Sequence, residues 1–471
     1  MEAFNSQDTL LIIAMVVIYI LFTTWLSLRL RSRTSEQYMV AARSMPAYIV
    51  GILMMSEYIG AKSTVGTAQA AFESGMAASW SVIAASIGFP LFGLLMARKL
   101  YNSGEFTISG FIEKKYGRST KLMVSVIMIY ALLLVNVGNY ISGAAAIATV
   151  LKINLPVAAF ITAIISTLYY VFGGLKSVAY VSILHTAVKY VGIMIVVGTA
   201  LSLSGGFEKV HQGLPAHYFT WDGAIGGSRV LAWIIGTAGA IFSTQFIIQA
   251  ICSTRNAKSA QASTFWAALL CLPISLALGF IGVAAKYLYP DMNSLYAMPV
   301  FLQSMSPWMA GVVTISLVAS IFVGVSTVAL AIASLVVRDF YVPMFKPDAE
   351  REFRMTKLIG LVIGFVPLIF VLFVPEILNL SFFTRALRLS ITVVALVAIY
   401  LPFFATTRGA TLGLAAATIT TSAWYLLNNP YGIDNMYIAL ITPALVILIE
   451  RCLPGSQRAA NHSPSEVSNA K

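Results

Sequence analysis

Apolar stretches of about twenty residues recur along the chain, with short polar intervals between them. Thirteen can be marked, near 9–29, 47–72, 78–98, 122–150, 155–173, 178–204, 229–252, 262–286, 307–336, 357–375, 377–402, 409–427 and 435–451. About 20 apolar residues in a helix cross the hydrocarbon core of a bilayer. The pattern therefore predicts an all-α polytopic membrane protein with about thirteen transmembrane helices. The polar intervals are unequal in charge. "RLRSRTSEQYMVAAR", "RKLYNSGEFTISGFIEKKYGRSTK", "STRNAKS" and "RDFYVPMFKPDAEREFRMTK" follow the first, third, seventh and ninth stretches and hold the basic residues, whereas "EKVHQGLPAHYFTWDGAIGGS" between the sixth and seventh holds few. Basic loops stay cytoplasmic, so the expected topology in the plasma membrane is N-terminus outside and C-terminus inside. The first stretch lacks a basic leader and a small-residue cleavage site, which predicts a retained helix. The Gly173-Gly174 pair of "FGGLKS" predicts a tight turn between the fifth and sixth helices. The polar segment 453–471 predicts a disordered cytoplasmic tail.

Composition sharpens the class. Hydrophobic residues make up 59% of the chain and charged residues 10%, against about 25% charged in a soluble domain. The net charge of +12 follows from the basic loops and does not require a nucleic-acid partner. Cys252, Cys271 and Cys452 lack metal-ligand spacing, and the four histidines are scattered. HExxH, GxSxG and GxxxxGK[ST] are absent. The sequence thus predicts neither an enzyme nor a bound metal or cofactor.

What stands out is charge at membrane depth. The second stretch contains "EYIGAKSTVG", which places Lys62 near mid-membrane between Gly60 and Gly66, with Glu57 close by. Intramembrane charges mark function by default, and glycine-interrupted helices with isolated polar groups mark a transporter with a midplane site. The seventh stretch has the same character, with Gly236 and Gly239 ahead of Ser243, Thr244 and Gln245. Lys189 is a second buried charge, on one helix face with Ser182 and His185 at i, i+3 and i+7 spacing. It lies about 10 Å deeper than Ser182. Asn136, Asn139, Tyr140 and Ser142 form a polar patch that either lines a path or joins helices. Arg385 and Arg388 are expected near the outer end of their helix, as interfacial or gate charges.

"SEYIGAKSTVGTAQAAFESG", "GEFTISGFIEKKYGRSTK", "VFGGLKSVAYVSILHTAVKYVG", "SLVASIFVGVSTVALAIASLVVRDFY" and "LPFFATTRGATLGLAAATITTSAW" occur in the order and spacing of the sodium:solute symporter family. The resemblance runs from about Leu10 to Leu427. It implies the leucine-transporter-type fold, an extra N-terminal helix followed by two inverted five-helix repeats. The implied divisions are 1–46 (extra helix and basic loop), 47–204 and 205–402 (the two repeats), 403–452 (two further helices) and the 453–471 tail. Core helices one and six, the second and seventh stretches, are the pair expected to be broken, at Gly60, Gly66, Gly236 and Gly239.

The chain departs from the family where sodium binds. The resemblance implies one ion between core helices one and eight, held by backbone carbonyls that map to Ser56 and Ile59. Two helix-eight hydroxyls would complete its shell, and those positions are Val323 and Gly324 here. Where the family tends to have an aspartate early in core helix five, this chain has Ser182. A hard cation with about six oxygen ligands is not easily built from what remains, although Ser320 and Ser326 lie nearby in sequence. Some relatives in the wider superfamily are sodium-independent and set a lysine of helix five in that site, the position Lys189 matches. The expectation is a secondary active transporter of a small anionic or zwitterionic solute, coupled to protons in preference to sodium. Its partners are the solute, the coupling ion and the bilayer. Lys62, Ser63, Asn139, Thr244 and Gln245 are expected at the substrate. Lys189, His185, Ser182, Ser56, Ile59 and Ser320 are expected in coupling. A sodium symporter with an altered site and a transporter-derived sensor are the alternatives.

Overall fold

A computed structural model describes residues 5–30, 32, 34–371 and 377–453. Fifteen helices carry the architecture: α1 (Ser6–Arg29), α2 (Ala47–Tyr58), α3 (Ala61–Ser74), α4 (Met76–Asn102), α5 (Ile108–Tyr116), α6 (Arg118–Leu151), α7 (Leu155–Ser204), α8 (Gly227–Ser243), α9 (Gln245–Cys252), α10 (Ala257–Leu288), α11 (Pro307–Leu335), α12 (Ala349–Phe365), α13 (Ile377–Tyr400), α14 (Thr407–Leu426) and α15 (Asn435–Cys452). Among the described residues, eight helices are long and apolar enough to cross a bilayer, or nine if α8 and α9 count as one bent span. The other four of the thirteen marked stretches are helical but interrupted, short or less apolar. The first is split into α2 and α3. The second is the N-terminal part of α7, where Gly174 (φ +71°, ψ 178°) interrupts the helix. The third runs from α12 toward 372–376, outside the described residues. The fourth is the threonine-rich α14.

Burial orders the bundle. In α11, 94% of the apolar window is buried, against 11% in α1. Hence α11 is the central helix, packed on α7 and α6, and α1 is a peripheral one whose Leu10, Ile18 and Leu21 point outward. An apolar outward surface is the low-energy arrangement only where the surroundings are lipid. The local signals follow familiar chemistry. Asn154 caps α7 by accepting from the Val157 N–H, and Gly205 ends it in the left-handed region (φ +74°). The 454–471 tail lies outside the described residues.

Candidate functional site

Two interrupted helices meet in the interior. Between α2 and α3, Ile59 (φ −91°, ψ 57°) and Gly60 (φ −77°, ψ −174°) leave helical geometry. Between α8 and α9, Thr244 (φ −64°, ψ 119°) does the same, and the two halves bend by 51°. Gly60 is needed for close approach: a Cβ there would meet Glu57 O at 3.1 Å and the Gly324 Cα at 3.5 Å. The other three glycines are not break points. Gly66 lies inside α3, with Ile377 Cγ2 at 3.1 Å from where its Cβ would be, and Gly236 and Gly239 lie inside α8 against Met436 and Leu389. They serve close helix packing, which keeps the helix intact, whereas the break in the second helix falls on a threonine.

Each break presents two kinds of backbone group. The C-terminal carbonyls of α2 face Lys189, which is fully buried. Its Nζ donates to Ser56 O at 2.7 Å, to Ile59 O at 2.6 Å and to Ser56 Oγ at 3.2 Å. Three oxygens thus gather around one ammonium between α7 and the end of α2. Electrostatically, Lys189 also senses Glu57 and Cys271. Val323 and Gly324 of α11 are buried and add no side-chain oxygen. Ser320 donates back to Ser316 O at 2.9 Å, and Ser326 to Phe322 O. The space beside Gly324 belongs to Asn139, whose amide atoms lie 3.1–3.2 Å from where a Cβ would stand.

The N-terminus of α3 has a different lining. Asn139 Oδ1 accepts from the Lys62 N–H at 3.5 Å, while its Nδ2 donates to Asn136 Oδ1 at 3.1 Å. Ser63 Oγ donates across the break to Tyr58 O at 2.7 Å. Lys62 is buried, its stem lying against Gly138 of α6. Among the described residues, no carboxylate comes within ion-pair distance of its ammonium. Glu57 is buried too, and its Oε2 has no hydrogen-bond partner among the described residues.

The largest departure from the sequence expectation concerns α13. Arg385 and Arg388 are 2% and 4% exposed, so they are central, not interfacial. Arg385 Nη1 donates to Ser81 O at 3.0 Å and to Thr237 Oγ1 at 2.7 Å, with its guanidinium over the rings of Tyr58 and Phe382. Arg388 donates from Nη1 to Thr244 Oγ1 at 2.9 Å, at the break of the second helix, and from Nε to Thr384 O at 3.0 Å. Both lie within electrostatic reach of Glu57 and Lys62. A usable signal was in the sequence: Arg385 is eight residues beyond Ile377, about 12 Å into the helix.

Three other expected residues are engaged elsewhere. Gln245 accepts from the Ile108 N–H at 3.0 Å and donates to Phe106 O at 3.0 Å, so both ends of its amide are engaged at the start of α5. His185 is buried with Nδ1 against Tyr19 Oη at 2.5 Å and with the Phe322 ring beside it, so α1 and α11 cover it. Ser182 donates to Val178 O at 2.6 Å. Tyr19 carried no sequence signal of its own.

The two ends of the bundle differ. At the end with the basic loops, Gln249 Nε2 donates to Ser334 Oγ at 2.7 Å, the Met45 N–H to Ser253 O at 2.9 Å, and Ser109 and Ser125 both donate to Asp339. At the opposite end a cavity of about 860 Å³ opens between α3, α8, α13 and α15. Trp233 and Phe382 line it, stacked at 4.2 Å, and Phe382 has the Arg385 guanidinium 4.6 Å from its ring. This aromatic pair separates the cavity from the charged centre. Among the described residues, no group of three His, Cys, Asp or Glu side chains could hold a metal.

The family model for the sodium:solute symporter family matches residues 38–416. The chain is 24% identical over 376 residues to high affinity choline transporter 1 of Homo sapiens, covering 74% of this chain and 64% of that protein. It is 22% identical over 352 residues to a sodium/glucose cotransporter of Vibrio parahaemolyticus, covering 67% and 65%. The chain thus spans just under two thirds of the length of these relatives. Its fold is similar to that of a Na+-coupled sialic acid symporter in a substrate-bound outward-open state (TM-score 0.81, 16% identity, 95% of this chain and 99% of that one). It is also similar to Mhp1, a nucleobase-cation-symport-1 family transporter, in a closed conformation (TM-score 0.59, 15% identity, 90% and 96%).

Proposed function

This chain belongs to the sodium:solute symporter family, and from that premise we propose that it is a secondary active transporter of a small organic anion, driven by protons and independent of sodium. The observation that carries the coupling is the seat of Lys189: its ammonium takes the carbonyls of Ser56 and Ile59. A cation belongs at such half-helix C-terminal ends. The charge of a lysine, unlike that of a metal ion, comes and goes with a proton. Charged, it ties α7 to the end of α2; neutral, it loses the pull on those carbonyls and frees the two elements to move apart. The titratable groups within electrostatic reach of it are Glu57, His185 and Cys271. The sequence route past His185 and Ser182 gains no support from the geometry, since Tyr19 covers that histidine. Glu57, toward the centre, is the better proton partner.

The anion preference rests on the rest of the centre. The N-termini of α3 and α9, which carry partial positive charge, open toward it beside Lys62, Arg385 and Arg388. The open cavity on one side and the closed basic end on the other support an outward-facing state, with the N-terminus outside.

Uptake into proteoliposomes under an imposed pH gradient tests the coupling. Equal uptake in potassium and sodium buffers at fixed pH is expected. A steep sodium dependence would overturn the reading in favour of a sodium symporter with a rebuilt site, which the names of the relatives favour.

A further inference from the structure

Among the described residues, the buried centre holds four cationic side chains, Lys62, Lys189, Arg385 and Arg388, and one carboxylate, Glu57, all less than 10% exposed. Their net charge is +3 when every group is ionised. Such a charge at membrane depth is costly unless it is matched. A guanidinium stays charged, and Lys189 already has its oxygens. The other four groups then leave +2 to be met by what enters from the cavity. They also leave places for it. Arg385 spends Nη1 on the protein, and Arg388 spends one N–H of each of its three nitrogens, on Thr244 and Thr384; each keeps further N–H groups to offer. The two residues are three apart on α13, so their forks lie on one face. Across the break, the Lys62 ammonium forms a separate cationic point. Glu57, within electrostatic reach of both, has its Oε2 unpartnered among the described residues. A buried acceptor of that kind calls for a donor.

We propose that the solute is a dicarboxylate with a hydrogen-bond donor, a hydroxyl, between its two carboxylates. One carboxylate meets the guanidiniums of Arg385 and Arg388, whose planar forks suit it. The other meets Lys62. The donor faces Glu57 Oε2. Entry requires the Trp233–Phe382 pair to part, because Phe382 stands between the cavity and Arg385. This assignment rests on the transporter reading above and adds the class of solute to it.

Binding to the purified full chain in detergent, with no gradient, tests it. The probes are malate, aspartate, succinate, lactate, propionate and glucose. Malate is expected to bind tightest, with aspartate weaker because its ammonium leaves one positive charge of the centre unmatched. Succinate, which lacks the donor, and lactate, which lacks the second carboxylate, should each be weaker by about tenfold to a hundredfold, and propionate weaker again. Glucose should not compete. Glu57→Gln should shrink the preference for malate over succinate, and Arg388→Gln should weaken both alike. Lactate as tight as malate, succinate as tight as malate, or tight binding of glucose would each overturn the assignment on the unaltered protein, whether or not a variant folds. A Glu57→Gln protein with the malate preference intact would overturn the donor's seat. Because no flux is measured, failure here leaves the coupling reading standing. Failure of proton-driven uptake, in turn, leaves the binding result standing.

Discussion

The ammonium of Lys189 donates to the carbonyl oxygen of Ser56 at 2.7 Å, joining residues 133 positions apart. With the Ile59 carbonyl at 2.6 Å, it puts a titratable cation at the broken end of α2. Lys189→Ala removes the donor from two buried acceptors, each worth about 1–3 kcal/mol when orphaned. We expect a clear fall in Tm and loss of pH-driven accumulation. Lys189→Arg keeps the charge but not the exchangeable proton; solute binding should survive and accumulation should not. If both variants concentrate solute as the parent does, Lys189 is not the coupling group.

Lys62→Ala should fold, since no ion pair among the described residues holds that ammonium, and should bind solute more weakly. A charge-assisted hydrogen bond contributes about 1.5–3 kcal/mol, or roughly tenfold to a hundredfold in affinity. Titration calorimetry on the variant reads this directly. Unchanged affinity would assign Lys62 a structural role.

Gln245→Ala should leave affinity within about twofold and loosen the closed end instead, because the Ile108 N–H and Phe106 carbonyl lose their partners. Cys252, buried with its Sγ donating to Glu105 O at 3.3 Å, is a native reporter of that opening. In a Cys452→Ser background its labelling by a thiol reagent should quicken. A large loss of affinity with labelling unchanged would return Gln245 to the solute site.

Gly324→Ser restores a hydroxyl where the family's sodium ligand is expected. Its Cβ would stand 3.1 Å from Asn139 Nδ2, and overpacking of this kind costs about 1–3 kcal/mol. Transport should stay insensitive to sodium, because the Lys189 ammonium still holds the carbonyls a metal ion would need. Sodium-stimulated uptake in this single variant would show that the lysine and the ion do not compete.

The sequence by itself determined the class, the order of the helices and which side chains depart from the family. Those are local properties: apolar length, basic loops, a lysine where an apolar residue is usual. It placed Lys189 opposite Ser56 and Ile59 only through a resemblance; nothing in the spacing of residues 56, 59 and 189 brings them together. Glycine content located the first break at Gly60 but misplaced the second. In a packed bundle a glycine equally well serves helix contact, as Gly236 does against Met436. The tertiary structure alone decided that Arg385 and Arg388 are central, that Gln245 is spent on α5 and that Tyr19 covers His185. In each case the deciding quantity is a contact between elements far apart in sequence. Burial, and with it the energetic meaning of a charge, is fixed by which helices surround a residue and not by its neighbours along the chain.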